Sequence, residues 1–222
     1  MGRAAVAVTA KTLTPGEAIG NPEHEDYPLL KGRERMMEAV VEGTAGQAFT
    51  DMPGHWRGTL EDVLNLDLVN NFRRAVFVSV LNAAMRHAGE AGGTRHCRDD
   101  GPVTCAGRLA EYIQEKRLRG PFTLAGFQPR LAEALAGAGE LFITDMDSDN
   151  IGAARCGTII QPPEKTAELL ERSATVFVTG TTLVNDTIGM FLDLPKSVVF
   201  YGVTISGAAQ VLGLERFCAC AE

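Results

Sequence analysis

Between Ala174 and Ser206 the chain reads ATVFVTGTTLVNDTIGMFLDLPKSVVFYGVTIS, and this stretch constrains the fold more than any other. Two runs rich in β-branched and aromatic residues, Ala174–Thr179 and Ser197–Val203, each pass into a glycine-bearing polar turn. A helical segment beginning near Asn185 separates them. Strand, turn, helix and strand in that order are the pattern of a parallel α/β sheet, whose strand ends open onto a ligand crevice. The alternation recurs upstream. Helix Val103–Lys116 leads to strand Pro121–Gly126, helix Pro129–Ala138 to strand Glu140–Asp145, and strand Thr158–Ile160 to helix Glu164–Arg172. Helix Gly207–Leu212 and an extended segment Arg216–Cys220 follow. Repeated βα units predict right-handed crossovers and a mostly parallel sheet.

The first hundred residues follow another pattern. Residues 10–30 carry three prolines and two glycines without a helical period and read as an irregular connection. Lys31–Val41 reads as a helix whose basic start, Lys31–Arg35, is a solvated face. Thr44–Asp51 is short, polar and glycine-punctuated, the kind of segment that turns at a domain edge. A short helix is expected over Leu60, Val63, Leu64 and Leu66. A longer one is expected over Asn71–Ala88, where Val76, Val80, Ala84 and Phe77, Leu81 fall at helical spacing. Asn82 inside that apolar run points to a buried hydrogen bond that holds a loop. Gly89–Pro102, rich in glycine and charge, is the best domain boundary.

With 222 residues the chain suits one large or two small domains, and a formal net charge of −7 argues against a nucleic-acid partner. The opening MGRAAVAVTAKT is too short and too soon polar for a signal peptide or membrane span, so no membrane partner is expected. Five cysteines without small-domain spacing do not make a disulfide framework and suit a reducing cytoplasm. A homodimer is the default assembly.

The turn Gly126-Phe127-Gln128-Pro129 after the first strand of the parallel sheet lacks the glycines of a dinucleotide fingerprint. Asp145, which opens the acid-rich turn after the next strand, lies where a Rossmann-like unit places a ligand-binding acid. Gly180–Thr187 is the strongest site candidate. Asn185 is positioned to cap a helix, whose free N–H groups would favour an anion, with hydroxyls from Thr181 and Thr182 beside it. Cys218 and Cys220 would share one face of a strand, and Cys97, His96 and Cys105 are the residues that would complete a soft-metal site with them.

VTGTTLVNDTI and VVFYGVTISGAAQVLGLERFCAC resemble the second half of the heavy-metal-chelation family, a domain of unknown function. DYPLLKGRERMMEAVVEGTAGQAFTD and FVSVLNAAMRHAG resemble the small domain that precedes it there. The resemblance implies an enolase-amino-terminal-like α+β domain over residues 1–95, a Rossmann-like α/β domain over 96–222, and a cleft between them. It implies a strand running into Gly43 in place of a helix, and a crevice-facing motif of Gln47, Thr50 and Asp51. The expected ligand residues are therefore Gln47, Thr50, Phe127, Asp145, Gly180, Thr181, Thr182 and Asn185. The expected function is binding of a small molecule or metal chelate at the cleft, in transition-metal homeostasis or metallocofactor handling, with Zn, Ni, Fe or Cu as the metal. The alternative is an enzyme acting on a phosphorylated or carboxylated small molecule, with Asp51 or Asp145 as acid/base.

Overall fold

The computed structural model describes residues 6–222. The chain runs β1 (Ala7–Thr12), α1 (Pro15–Ile19), α2 (Pro28–Lys31), β2 (Arg35–Val41), β3 (Thr44–Thr50), β4 (Trp56–Thr59), α3 (Leu60–Leu64) and α4 (Asn71–His87). After a segment without regular structure come α5 (Gly101–Gly107), α6 (Leu109–Glu115), β5 (Phe122–Ala125), α7 (Pro129–Ala138), β6 (Leu141–Thr144), β7 (Ala154–Arg155), β8 (Thr158–Gln161) and α8 (Thr166–Arg172). The chain continues through β9 (Thr175–Thr179), α9 (Gly189–Leu192), β10 (Ser197–Tyr201), α10 (Ser206–Leu212) and β11 (Arg216–Phe217).

The first four strands form an antiparallel sheet in the order β3-β2-β1-β4. The β2–β3 hairpin closes through Glu42 and Gly43, with φ of 47° and 75°, the left-handed pair that a two-residue turn needs to match strand twist. Val8, Ala10, Met37, Ala39, Val41 and Ala48 form a buried face against Ala75, Val76 and Ala83 of α4. That helix starts at Asn70, whose side chain accepts the Arg73 N–H at 2.9 Å. At Gly46 the helix backbone lies directly on the strand: a Cβ there would sit 2.2 Å from the Ala83 nitrogen.

The second sheet has the order β11-β10-β9-β5-β6-β8-β7, parallel except for the β7–β8 hairpin. Its central strands β5, β6 and β9 are buried on both faces, which explains their continuous apolar runs. In β9, Phe177 points into one core with Leu124, Leu135 and Ile143, while Val176 and Val178 point into the other with Leu170, Phe200 and Ala208. The chain leaves β5 toward β6 on one side and later returns to β9 on the other. The carboxyl ends of β5 and β9 therefore flank a topological switch point, where such sheets bind ligands.

A mixed α/β fold with a mostly parallel sheet and a smaller second sheet is thus what the sequence led us to expect. Several elements differ. Lys31–Val41 is mostly strand, because its apolar residues pair in register along β1 rather than lining one helix face. Thr44–Asp51 is strand β3 rather than a domain-edge turn, since both its faces are covered. Residues 10–30 contain two short helices, the first closed by a reciprocal Thr14–Glu17 capping box. Helix Val103–Lys116 breaks at Arg108. The extended segment Arg216–Cys220 stops at Phe217, so Cys218 and Cys220 do not share a strand face. Among the described residues no helix is long and apolar enough to cross a membrane.

Asn82 joins the two layers. It is fully buried; its Nδ2 donates to the carbonyls of Gln47 at 2.8 Å, Val203 at 3.1 Å and Thr204 at 3.2 Å, and its Oδ1 accepts the Gly207 N–H at 2.7 Å. Each buried polar group left unpaired costs about 1–3 kcal/mol. Asn82→Ala should therefore lower stability by roughly 3 kcal/mol or more, read as a shift of the urea unfolding midpoint. A change under ~0.5 kcal/mol would show that these bonds do not hold the layers together.

Candidate functional site

Above the switch point the two sheets enclose a cavity of about 390 Å³. Three turns of the parallel sheet form its floor. Gly126, after β5, has φ of 89°, and a Cβ there would sit 2.5 Å from Thr179 Cγ2, so the close turn needs glycine. Its carbonyl accepts the Tyr201 hydroxyl at 2.6 Å. After β6, Asp145 fastens two turns at once. Its Oδ2 accepts the Phe127 N–H at 2.9 Å and Asn150 Nδ2 at 3.2 Å, while Oδ1 accepts the Asp147 N–H at 2.9 Å. After β9, the Thr179 and Thr181 hydroxyls lie 2.9 Å apart and Thr182 Oγ1 donates to the Thr179 carbonyl at 2.8 Å.

The other wall comes from the antiparallel sheet and its loops. Arg33, Glu34, Thr50 and Asp51 line it, with Asn71 Nδ2 donating to Asp51 Oδ1 at 2.7 Å. His96, from the segment between α4 and α5, also faces the cavity, and its buried Nδ1 has no hydrogen-bond partner. Burial holds this imidazole down at about 4, so it is neutral at pH 7.

Carboxylates dominate the electrostatics. Burial, reinforced by Asp145, Asp51 and Asp147, raises Glu34 to about 7. Burial also raises Asp145, partly opposed by the N–H groups of Asp147 and Phe127. The Asp147 side chain reaches the loop before Glu34: a Cβ at Gly32 would be 3.3 Å from Asp147 Oδ2.

Of the residues singled out in the sequence, Thr50, Asp51, Phe127, Asp145, Gly180, Thr181, Thr182, Asn185 and His96 line this one cavity. Gln47 does not. It is buried beneath the wall, donating to Glu38 Oε2 at 2.8 Å and accepting the His96 N–H at 2.6 Å, so it fixes the strap that carries His96. Asn185 caps no helix. Gly180–Leu183 is a 3₁₀ turn, and Asn185 Oδ1 accepts from the Thr187 N–H at 3.2 Å and hydroxyl at 2.6 Å in a local loop. The helix dipole proposed for anion binding is therefore missing from this turn. Cys97, Cys105, Cys218 and Cys220 lie outside the cavity lining, gathered where α5 meets the segment after β11. Among the described residues no three His, Cys, Asp or Glu side chains converge on a single metal position. Glu34 and Tyr201 were missed. The charge run around Glu34 reads as a solvated helix start, and nothing in its spacing reveals that the following strand turns it inward.

The architecture defines an α/β protein with a ligand cavity at the switch point of a parallel sheet, walled by a second, antiparallel sheet. Residues 111–215 match the family model described as "Putative heavy-metal chelation", and over that segment the resemblance read from the sequence is shown. The chain is similar in structure to a protein of unknown function from the DUF364 family of Pyrococcus horikoshii. That match has a TM-score of 0.55 at 15% identity and covers 78% of this chain and 69% of that one. A DUF364 protein of unknown function from Desulfitobacterium hafniense matches with a TM-score of 0.55 at 11% identity, covering 81% and 72%. At these identities the likeness concerns the fold. No curated protein matches the chain.

Because Glu34 sits at about 7 when folded, against 4.5 for a free glutamate, the folded protein holds this proton more tightly than the unfolded chain. The stability it contributes is complete below about 4.5 and is lost as pH rises through 7. Melting temperature should therefore fall between pH 5 and pH 8 by roughly 5–10 °C more in the native protein than in Glu34→Gln, at about 2–4 °C per kcal/mol. Parallel pH profiles for the two proteins would place Glu34 in open water.

Proposed function

We propose that the cavity binds a small polar molecule that carries positive charge, with a metal chelate as the favoured form. One observation carries this reading: the carboxyl groups of Glu34, Asp51, Asp145 and Asp147 face a single half-enclosed cavity from both sheets. Such a wall repels a bare anion and attracts a cation, and its electrostatic force grows as water is displaced. The donor set argues against a naked heavy-metal ion. Carboxylate and hydroxyl oxygens are hard ligands, whereas soft metals select thiolates and thioethers. An organic ligand that already holds its metal needs only charge complementarity and hydrogen bonds, which the turns supply. The unpartnered His96 Nδ1 and the Thr181 and Thr182 hydroxyls provide neutral contacts for its polar atoms. The family description, heavy-metal chelation, agrees with this class of ligand. Transition-metal homeostasis or metallocofactor handling is the role that follows.

An enzyme is the second reading, supported by Glu34. A carboxyl group that exchanges its proton near neutral pH suits general acid/base chemistry. Asp145, whose oxygens are engaged by Phe127, Asp147 and Asn150, suits positioning instead. A phosphorylated or carboxylated substrate would need an accompanying cation against this wall.

Protein purified without an affinity tag should carry a transition metal by element analysis together with a small-molecule mass by native mass spectrometry. Glu34→Gln should reduce both by tenfold or more. A co-purified nucleotide or other metal-free anion would refute the chelate reading and favour the enzyme.

A further inference from the structure

Not every side chain that lines the cavity is polar. Met146 and Met190 are 59% and 48% exposed, and both belong to its lining. Large apolar side chains exposed one at a time, such as Leu64 and Val211, are ordinary on a protein surface. Two of them in one half-enclosed cavity call for an apolar cover. A single local network sets both. Asn185 Nδ2 donates to Met146 Sδ at 3.2 Å, which ties the thioether of the turn after β6 to the turn after β9. Asn185 Oδ1 accepts the Thr187 hydroxyl at 2.6 Å, and the Thr187 carbonyl accepts the Met190 N–H at 3.1 Å. Phe127, from the turn after β5, and Phe49, from β3, add aromatic surface to the same lining.

We infer that the ligand carries an aromatic ring directly beside its positive charge, with Met146 and Met190 as the residues that select the ring. An arylmethylammonium ion is the simplest molecule of this class. The inference rests on the reading of the cavity as a site for a positively charged molecule, and it adds the organic part of that molecule. Met146 stands between Asp145 and Asp147 in the chain, so apolar contact and carboxylate alternate at about 4 Å along the backbone. A ligand meets both only when its ring and its charge are one or two bonds apart. Glu34, Asp51 and Asp147 attract the charge, while the thioethers and the two phenylalanines cover the ring. Methionine suits this task because its unbranched, polarisable side chain adapts to an irregular face and makes favourable sulfur–aromatic contacts. A small aliphatic ammonium ion would satisfy the carboxylates and leave both methionines in water.

NMR titrations with 2-naphthylmethylammonium and with methylammonium, followed at backbone amides and methionine methyl groups, test this. The naphthyl ion should bind roughly thirtyfold more tightly than methylammonium, because its ring leaves water. It should shift the methyl signals of Met146 and Met190 but not that of Met37, which is buried against α4, a readout that needs no variant to fold. In the double variant Met146→Ala, Met190→Ala the advantage of the naphthyl ion should shrink to roughly threefold or less. Glu34→Gln should weaken both ions and leave their ratio intact. Equal affinities for the two ions in the native protein, or a naphthyl advantage that survives the double variant, would overturn the ring site. Naphthylmethanol binding as tightly as naphthylmethylammonium, in the native protein and in Glu34→Gln alike, would instead refute the cationic reading and leave the ring contact standing.

Discussion

The arrangement of the two sheets depends on one side chain, the carboxamide of Asn82. It rises from α4 into the seam between the layers and pairs with backbone groups of β3, of the loop before α10 and of α10's first turn. A buried amide is stable only when its donors and acceptor are all satisfied. Here Gln47, Val203, Thr204 and Gly207 satisfy them. The geometry that satisfies Asn82 is also the geometry that holds the Gly202–Ser206 loop against β3. Thr204 strengthens the same joint by accepting the Phe49 N–H through its hydroxyl at 3.0 Å. Beyond this joint the sheets part, and the cavity is the space that remains.

The floor and wall of that cavity are rigid for a related reason. Asp145 uses its carboxylate on backbone N–H groups of its own turn and of the turn after β5, so the two turns are one unit. Tyr201 ties the same turn to β10 through Gly126. Asp145 and Tyr201 are thus committed to structure, and Glu34, Asp51, Asp147, the threonine hydroxyls and His96 line the same cavity. Their sum is acidic, and Glu34 is held near 7 by lost water and by the carboxyl groups around it.

The parallel sheet was legible because its central strands are buried on both faces. Runs such as TVFVT admit few other environments, and Pro129 and Gly180 mark where helix and turn must begin. The antiparallel sheet was harder. Met36 and Met37 are both buried though adjacent, because β2 is covered on each side, so the strand shows no simple alternation. Asn82 was recognised as a buried polar residue, yet three of its four partners lie more than a hundred residues away and sequence spacing could not supply them. For the cavity, Asp145, Thr181 and Thr182 followed from their place at strand ends. Glu34 did not, since its exposure is set by the packing of a loop against Asp147 from another layer. Asn185 misled because a polar residue after a strand suggests a helix cap, whereas Asp186 with φ of 66° diverts the chain into a loop.

The central claim is that the carboxylates at the switch point act together on one cation-bearing ligand. Cobalt(III) hexaammine, an exchange-inert cationic complex, tests it by amide NMR titration. The account predicts saturable shifts at Gly126, Phe127, Asp145 through Asp147 and Thr181, weakened about tenfold in Glu34→Gln. Shifts scattered over the acidic surface, without saturation and indifferent to Glu34, would contradict it.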